Sequence, residues 1–487
     1  MSARPTRARP EAHRLPRWWV AATVALAACG GGSPGPREEP FVAPLAPDCS
    51  PPTIPDVSFA ATVGPASPPA TCATPVHDSA LDAAWVQHLG TLAVGSTAAF
   101  VVPPGTGSFT IVEQAVQAST GPVTFAGASP LPNRAVPLRI KYPDGSIFFD
   151  DTAPIPLDFS LASAVSFGGR QGTGAFTAPS TAHTLAAWAR GAPSGTWSFV
   201  VGDYASECVE VGPAGCTSGG GTTGIYDVSV LLRPGPVPRS GTIDLDLYLV
   251  TTRFRAPGAP SDPGLSRMVS TISSLFAAAG ICVGQVTFLD VPDWVRSDYA
   301  TGIDATRLGA CDALAQLCTL SRPSAAVPIF LVDAIGGSGG SLRTVGIDGA
   351  IPGPATIGGT IVSGAVVNAS DVGAGTCGAS IDLAACGSDA TAAVVAHEVG
   401  HYLGLYHPTE SGGTIFDALS DTPTCACSQC VPPAYRPSCG AGANVGASDC
   451  SAGGACAGAS NLMFWLAGGD QLTAQQGQLM RASPATR

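Results

Sequence analysis

Charged residues are scarce in this sequence. Asp, Glu, Lys and Arg make up 12% of its 487 residues and hydrophobic residues 45%, so there is ample apolar surface for a core. Basic residues are the scarcer charged class, with 23 Lys and Arg against 35 Asp and Glu and a formal net charge of −12. This acidic balance disfavours nucleic acid as a partner, because phosphate binding needs a basic surface. At this length, two or three domains are expected.

The N-terminus lacks an apolar run long enough to span a bilayer. A basic segment precedes the short run from Trp18 to Ala28, so residues 1–28 are predicted to be an export signal that is removed. The run ends in Leu-Ala-Ala-Cys29-Gly, which resembles the bacterial lipobox and implies a lipid on Cys29, holding the protein to the cell envelope, at the outer membrane or cell surface. The alternatives are an ordinary signal peptide or a single-pass anchor. The Pro- and Gly-rich residues 29–75 are predicted to be a tether.

The 16 cysteines exceed what a reducing compartment favours, and several, such as Cys377 and Cys386, are close in sequence. We therefore expect disulfides. With Cys29 set aside the number is odd, so at least one thiol is free, bound to another group or paired between chains. A cluster of six near the C-terminus has nearly the spacing of a second zinc site, but export favours disulfides there. These six are Cys425, Cys427, Cys430, Cys439, Cys450 and Cys456.

Short β-type runs between turn residues recur in residues 76–238 and favour a β-sandwich-like domain. Examples are Phe109–Val112, Thr196–Val201 and Tyr226–Leu232. The proline-rich segment 233–238 is predicted to be a joint between domains, since its prolines disfavour both helix and central strand.

Strand and helix patterns alternate from residue 241 onward, which predicts a mixed sheet backed by helices. The expected strands are Ile243–Thr251, Gln285–Val291, Val327–Val332 and Thr360–Asn368, and the expected helices are Leu265–Ala279, Ala305–Leu320 and Ser388–Leu403. The fold class of the whole chain is therefore α+β, with a β-sandwich-like domain followed by a domain, residues 241–487, that contains a twisted mixed sheet.

The helix predicted over Ser388–Leu403 carries a pattern typical of zinc enzymes. His397 and His401 are four residues apart, so both imidazoles lie on one helix face and can reach a single metal ion. Glu398 lies beside them, where a catalytic carboxylate can act on a water at the metal. The alternative is a polar patch on a surface helix, but the apolar residues 394–396 just before the pattern argue against it.

A third histidine follows at the spacing that a metal site needs. Gly404 can adopt positive φ, end the helix and turn the chain, so that His407 returns as a further ligand. Three protein ligands leave one position of a tetrahedral zinc open, which is typical of a catalytic site, whereas a structural zinc has four.

These residues resemble the metzincin clan of zinc metalloproteases, whose signature is His-Glu-x-x-His-x-x-Gly-x-x-His followed by a methionine turn. Within the clan the sequence is similar to the pappalysin family, which includes ulilysin-like and cytophagalysin-like enzymes. The similarity is carried by Asp417–Pro423, the cysteines after it, Asn461–Met463, Leu472–Gln476 and Met480–Arg481, and it covers Asp389–Arg481 well. It implies a metzincin-like catalytic domain with zinc on His397, His401 and His407, Glu398 as the catalytic carboxylate and Met463 as an apolar floor beneath the metal.

The sequence departs from the pappalysin pattern at one position, and it leaves alternatives for two acidic residues and for two upstream cysteines. Trp465 stands where the pappalysin pattern has a tyrosine, and an indole cannot bind zinc through an oxygen, so a role for a tyrosine there is not carried over. Asp417 and Asp421 could bind calcium, as in some relatives, or form Asx-type turns. Cys72, more than Cys49, could also block the metal until cleavage, the alternative being a simple disulfide or an unpaired bystander.

The predicted function is a zinc-dependent endopeptidase that hydrolyses peptide bonds of extracytoplasmic proteins. Zinc activates a bound water, Glu398 accepts its proton, and the substrate lies extended along an edge strand. Its partners are a protein or peptide substrate and, through the lipid, a membrane; the oligomeric state is not indicated. The alternatives are a catalytically inactive zinc-scaffold binding lipoprotein and a β-sandwich adhesion or binding lipoprotein.

Overall fold

The computed structural model describes residues 60–63, 85–117, 123–125, 135, 137–150, 173–203, 216–218, 223–305, 313–322, 324–336, 343–359, 362–439 and 444–487. The predicted export signal, the lipidation site Cys29, and the cysteines Cys49 and Cys72 lie outside these residues. Within the described ranges the chain is a mixed α+β structure of several sheets and few helices. A search of these ranges finds no helix of the length and apolarity needed to cross a membrane.

The helices and strands are numbered in chain order. The strands are β1 (Ala60–Val63), β2 (Trp85–Ala93), β3 (Thr97–Val102), β4 (Thr106–Gln117), β5 (Val123–Phe125), β6 (Leu138–Lys141), β7 (Ile147–Phe149), β8 (Thr173–Ala178), β9 (Gly195–Val200), β10 (Cys216–Ser218), β11 (Ile225–Pro234), β12 (Gly241–Leu249), β13 (Ile281–Asp290), β14 (Ile303–Asp304), β15 (Val327–Val332), β16 (Ile335–Gly336), β17 (Gly346–Asp348) and β18 (Ala365–Asn368). The α-helices are α1 (Ala182–Ala187), α2 (Pro263–Ala278), α3 (Asp293–Tyr299), α4 (Ala313–Cys318), α5 (Gly387–Tyr402), α6 (Cys427–Cys430) and α7 (Ala474–Ala482).

Two four-stranded antiparallel sheets, with strand orders β2-β11-β4-β8 and β3-β9-β6-β7, make up most of the N-terminal part. Alternate residues of both sheets enter one shared core. Phe100 of one sheet and Phe109 of the other meet edge to face, with ring centroids 5.1 Å apart. Trp197 is fully buried beside them and satisfies its indole N–H by donating to Pro193 O at 2.8 Å. The predicted strand segments lie in these sheets.

A six-stranded sheet, with strand order β1-β13-β12-β15-β18-β17, organises the C-terminal part. The four central strands are parallel to one another, and each edge strand is antiparallel to its neighbour. Side chains of β12 alternate between two cores: Leu247 belongs to the core that contains α2 and α5, whereas Tyr248 belongs to the core that contains α3 and α4. Helices therefore cover both faces of the sheet, as parallel strands require.

Two segments differ from the sequence-based expectation. Helix α3, Asp293–Tyr299, lies where no helix was predicted, whereas the helix predicted over Ala305–Leu320 is found as α4 at Ala313–Cys318, and residues 306–312 of that prediction lie outside the described residues. Strand β1 lies inside the segment 29–75 that was predicted to be a tether, and it pairs with β13 along the edge of the six-stranded sheet. The N-terminal sheets are thus inserted in the chain between two strands of the C-terminal sheet.

The end of the chain joins the two parts. Arg233 of β11 donates to Ser483 O at 2.9 Å and also to Thr486 O. The last residue pairs with the C-terminal sheet: Arg487 N donates to Thr242 O of β12 at 2.9 Å, and Thr242 N donates to Arg487 O at 2.7 Å. Because residues 483–486 are almost fully buried, these bonds satisfy backbone groups that water does not reach.

A buried ion pair connects helices α2 and α5. Asp389, in the first turn of α5, accepts hydrogen bonds from Arg267 at 2.6 and 2.8 Å and from Thr271 at 2.5 Å. Burial alone would raise the pKa of Asp389, but the bonds from Arg267, Thr271 and the Asp382 amide outweigh it, and the pKa lies below its ordinary value. The start of α5 is therefore fixed against α2.

We expect Asp389→Asn to lower the free energy of unfolding at neutral pH by about 2 kcal/mol, the usual loss for a hydrogen bond to a charged group. Because folding lowers the pKa of Asp389, its contribution is present above the ordinary carboxyl pKa and disappears as the pH falls through the lower folded value. Urea unfolding at neutral and acid pH should therefore show a difference that shrinks in acid. Asp371→Asn, at a carboxylate 61% exposed, is the control and should change stability by less than about 0.5 kcal/mol. A loss that is equal at both pH values would contradict this assignment.

Candidate metal centre

Helix α5 carries the predicted metal-binding histidines and ends where the sequence predicts. Gly404 has φ +102°, Gly404 N donates to His401 O at 2.8 Å, and Leu405 N donates to Gly400 O at 2.9 Å. This is the Schellman arrangement of a helix C-terminus, which needs a residue that tolerates positive φ. The turn directs the chain back so that His407 lies beside the helix face that carries His397 and His401.

The three imidazoles converge through their Nε2 atoms. His407 Nε2 lies 3.2 Å from His401 Nε2 and 3.2 Å from His397 Nε2. His401 is buried, whereas His397 and His407 are half-buried, so the cluster is open on one side. Among the described residues, this is the one group of three or more His, Cys, Asp or Glu side chains whose geometry could hold a metal ion.

Each Nδ1 atom of the cluster has an acceptor of its own. His397 Nδ1 lies 2.7 Å from Leu462 O and His401 Nδ1 lies 2.7 Å from Leu405 O. His407 Nδ1 lies 3.0 Å from Glu410 Oε2. Because these oxygens only accept, each Nδ1 carries the proton when the ring is neutral, and each Nε2 presents a lone pair.

The rings of the two helical histidines are neutral at physiological pH. Burial and the nearby His407 together lower the pKa of His397 to about 3, against the opposing effect of the Leu462 carbonyl. Burial, His397 and His407 likewise lower the pKa of His401 well below its ordinary value. His397 and His401 thus each present an unprotonated Nε2 to the centre of the cluster, where a cation could accept both lone pairs.

The spacing of the nitrogens fits a small tetrahedral ion. Nitrogens that bind zinc at roughly 2.0–2.1 Å in tetrahedral geometry are about 3.3 Å apart, close to the 3.2 Å separations found here. His397, His401 and His407 would therefore hold such an ion, with its fourth position towards the open side.

Glu398 lies next to the cluster, beneath the edge strand β17. It is 5% exposed, and burial raises its pKa to about 8. A Cβ atom on Gly346 would lie 2.2 Å from Glu398 Oε1, so the strand can approach the carboxylate this closely only with glycine at that position. The sequence predicted Glu398 but not Gly346, because the contact depends on how β17 crosses the helix.

Met463 packs against the helix backbone behind the histidines. It is fully buried, and a Cβ atom on Gly400 would lie 2.5 Å from Met463 Sδ. Asn461 accepts from Met463 N at 2.9 Å, and its side-chain amide pairs reciprocally with that of Gln476 in α7 at 2.9 and 3.1 Å. Helix α7 therefore holds the turn that supports α5 at Gly400.

Disulfides hold the segment between the histidines and Met463. Its bonds are Cys425–Cys450, Cys427–Cys439 and Cys430–Cys456, and a further bond, Cys377–Cys386, lies just before helix α5. All six cysteines of the predicted cluster are paired, so the disulfide prediction is confirmed and the alternative of a second zinc site there is wrong. We refer to residues 425–456 as the disulfide segment.

Trp465 connects the methionine turn to the disulfide segment. Its Nε1 donates to Val445 O at 3.0 Å, and Val445 is fully buried. The indole thus satisfies a carbonyl that water does not reach, which gives Trp465 a structural role.

Asp417 and Asp421 make the contacts of turn and cap residues. Asp421 accepts from Thr473 Oγ1 at 2.8 Å and from Gln475 N at 2.9 Å, at the start of α7. Asp417 accepts from Thr422 Oγ1 at 2.6 Å, and burial raises its pKa to about 7. Calcium binding by Asp417 and Asp421 stays a prediction.

Trp465→Phe tests the structural role of the indole. The change leaves Val445 O without its donor, so we expect the free energy of unfolding to fall by about 1–3 kcal/mol, measured by denaturant titration. Divalent-metal affinity should stay within a factor of about three, because the donors to the metal are unaltered. Trp294→Phe, at a residue 39% exposed, is the matched control. A large loss of metal affinity at unchanged stability would show that Trp465 acts on the metal instead.

No protein-family model matches this chain, and no curated protein matches it. The candidate site therefore rests on its own geometry, which is a cluster of three histidines that could hold a metal ion with a carboxylate beside it.

Proposed function

We propose that this chain is a zinc-dependent endopeptidase of the metzincin type, within the pappalysin family. The observation that carries the proposal is the pair of 3.2 Å separations between imidazole nitrogens, with Glu398 on the same helix. Zinc is the ion best suited to a three-histidine site with one open position, and Met463 lies where a methionine turn would support it.

Bound zinc would supply Lewis-acid activation of water and of the scissile carbonyl. Glu398 takes the proton of the attacking water and later gives it to the departing amine. Its burial suits the second step, since burial raises the pKa of Glu398 and so helps the carboxyl group to hold the proton until the amine departs. The carbonyls of Leu462 and Leu405 keep the two helical histidines in the orientation that the metal requires.

Strand β17 supports binding of an extended peptide. It is the last strand in the order of the six-stranded sheet and pairs on one side with β18, so among the described residues its other edge has no neighbouring strand. A substrate can add to this edge through main-chain hydrogen bonds, directly above Glu398. Glycine at position 346 brings the backbone of the strand, and hence the substrate, close to the carboxylate.

The remaining assignments complete the proposal. The two N-terminal sheets around a shared core support a β-sandwich-like domain over residues 76–238, and residues 241–487 form the metzincin-like catalytic domain. Lipid attachment at Cys29, and with it the cell-envelope location, is proposed from the sequence alone.

Glu398→Gln tests the proposed reaction. We expect the purified wild type and the variant to hold the same single zinc ion, because the histidines are unaltered, while cleavage of a broad peptide library falls about 10²–10⁴-fold, the usual contribution of a general base. Metal analysis and mass spectrometry of the products measure the two effects. Asp470→Asn, which likewise replaces a carboxylate by an amide but at an exposed position, should leave zinc content and peptide cleavage unaltered.

The possible outcomes separate the alternatives. Equal cleavage by wild type and Glu398→Gln removes Glu398 from the mechanism. A wild type that holds zinc but cleaves no peptide supports the inactive zinc-scaffold protein instead.

Gly346→Ala tests the approach of β17 to the carboxylate. The added methyl displaces Glu398 while leaving the histidines in place, so we expect kcat/KM to fall about 10²-fold at unchanged zinc content. Gly378→Ala is the control, since a Cβ atom there meets nothing within 4 Å and should leave kcat/KM at the wild-type value. Full activity in Gly346→Ala would contradict the placement of the substrate along β17.

A further inference from the structure

The third histidine of the cluster is held differently from the other two. His397 and His401 lie on helix α5, and their Nδ1 atoms meet the backbone carbonyls of Leu462 and Leu405. His407 lies beyond the end of the helix, and its Nδ1 meets a carboxylate, Glu410 Oε2, at 3.0 Å. The one ligand without a helix to orient it is therefore the one with a charged partner.

We propose that Glu410 is a positioning residue for the metal: it fixes His407 with Nε2 towards the ion and makes this imidazole the strongest donor of the three. A carboxylate behind a ligating imidazole selects the tautomer with Nδ1 protonated and increases the electron density at Nε2. This inference rests on the proposed metal site and adds to it a residue that the His-Glu-x-x-His-x-x-Gly-x-x-His pattern does not contain.

Glu410 is itself held in place by a closed turn. Glu410 N donates to Ile415 O at 3.0 Å, and Gly413 N donates to Glu410 O at 2.8 Å. Gly413 has φ +60°, and a Cβ atom there would lie 2.7 Å from Cys427 N. The turn therefore needs glycine at this point in order to contact the disulfide segment.

The disulfide segment fixes this turn from outside. Cys427 N donates to Gly413 O at 2.9 Å, Val445 N donates to Ser411 O at 2.8 Å, and Cys425 N donates to Thr409 Oγ1 at 2.9 Å. Three successive points along residues 409–413 are thus bonded to a covalently closed segment. An exposed histidine–glutamate pair is held by its own flexible side chains alone, whereas here the backbone that carries Glu410 is fixed, and the two side chains are only 20% and 25% exposed.

The test compares zinc affinity and the tautomer of His407 in Glu410→Ala, Glu410→Gln and the wild type, each as the purified full chain. Competition with a chelator of known affinity measures zinc binding, and ¹⁵N NMR of histidine-labelled, metal-free protein measures the tautomer. We expect Glu410→Ala to bind zinc about 10–100-fold more weakly, the usual effect of losing a carboxylate behind a metal ligand, and to lose the preference for protonated Nδ1 at His407. Glu410→Gln should fall between, because its amide oxygen accepts from Nδ1 but carries no charge.

Asp470→Asn, which removes a charge from an exposed site, is the control and should match the wild type in both measurements. The inference is overturned if Glu410→Ala and Glu410→Gln bind zinc as tightly as the wild type, or if the His407 tautomer is the same in all three. If Glu410→Ala does not fold, the isosteric Glu410→Gln decides.

The outcomes also separate this inference from the proposed function. Weaker zinc binding in the variants of a wild type that cleaves no peptide leaves the role of Glu410 intact and removes the endopeptidase. If the wild type cleaves peptide and the variants bind zinc as tightly as it does, the endopeptidase stands and the role of Glu410 is removed. A wild type that binds no zinc overturns both.

Discussion

The convergence of three imidazole Nε2 atoms is the constraint on which the candidate site depends. His407 Nε2 lies 3.2 Å from the Nε2 atoms of both helical histidines, and the three rings can meet in this way only if the surrounding fold orients each of them. The surrounding contacts serve this purpose. Backbone carbonyls fix two rings, a carboxylate fixes the third, and the turn at Gly404 directs the third ring to the others. Covalent bonds within residues 425–456 fix the backbone beyond that turn, so the site is supported on both sides.

The sequence predicts the helix of the histidine cluster well because its signal is local. The four-residue spacing of His397 and His401 defines one helix face, and the six-residue spacing to His407, across Gly404, indicates where the helix ends and the chain turns back. Helix α5 differs by one residue at each end from the predicted Ser388–Leu403. Strand β15 matches its prediction at both ends, since a short apolar run buried on both faces has few alternatives. The paired cysteines were likewise predictable in kind, although not in connectivity, because six cysteines allow many pairings.

Other features depend on contacts that no local pattern contains. Strand β2 loses its alternation near Gly90, where the pairing with β11 shifts register. Helix α3 is short and largely polar, so it has no clear apolar stripe in the sequence. Glu410 contacts His407 because of the turn between them, and Gly346 contacts Glu398 because β17 crosses the helix. Neither contact can be predicted without the positions of the neighbouring backbone. The structural role of Trp465 is hidden for a similar reason, since its partner Val445 lies within the disulfide segment.

The insertion of the N-terminal sheets between β1 and β12 has a mechanical consequence. Strand β1 is a four-residue edge strand, joined to the six-stranded sheet by antiparallel pairing with residues 286–289. Tension applied to the chain ahead of residue 60 acts on this short ladder before it acts on the hydrophobic cores of the N-terminal and C-terminal parts. The ladder would open first and absorb the load, while the parallel strands that carry the histidine helix keep their register. A chain held ahead of residue 60 would in this way be pulled without distorting the three-histidine cluster.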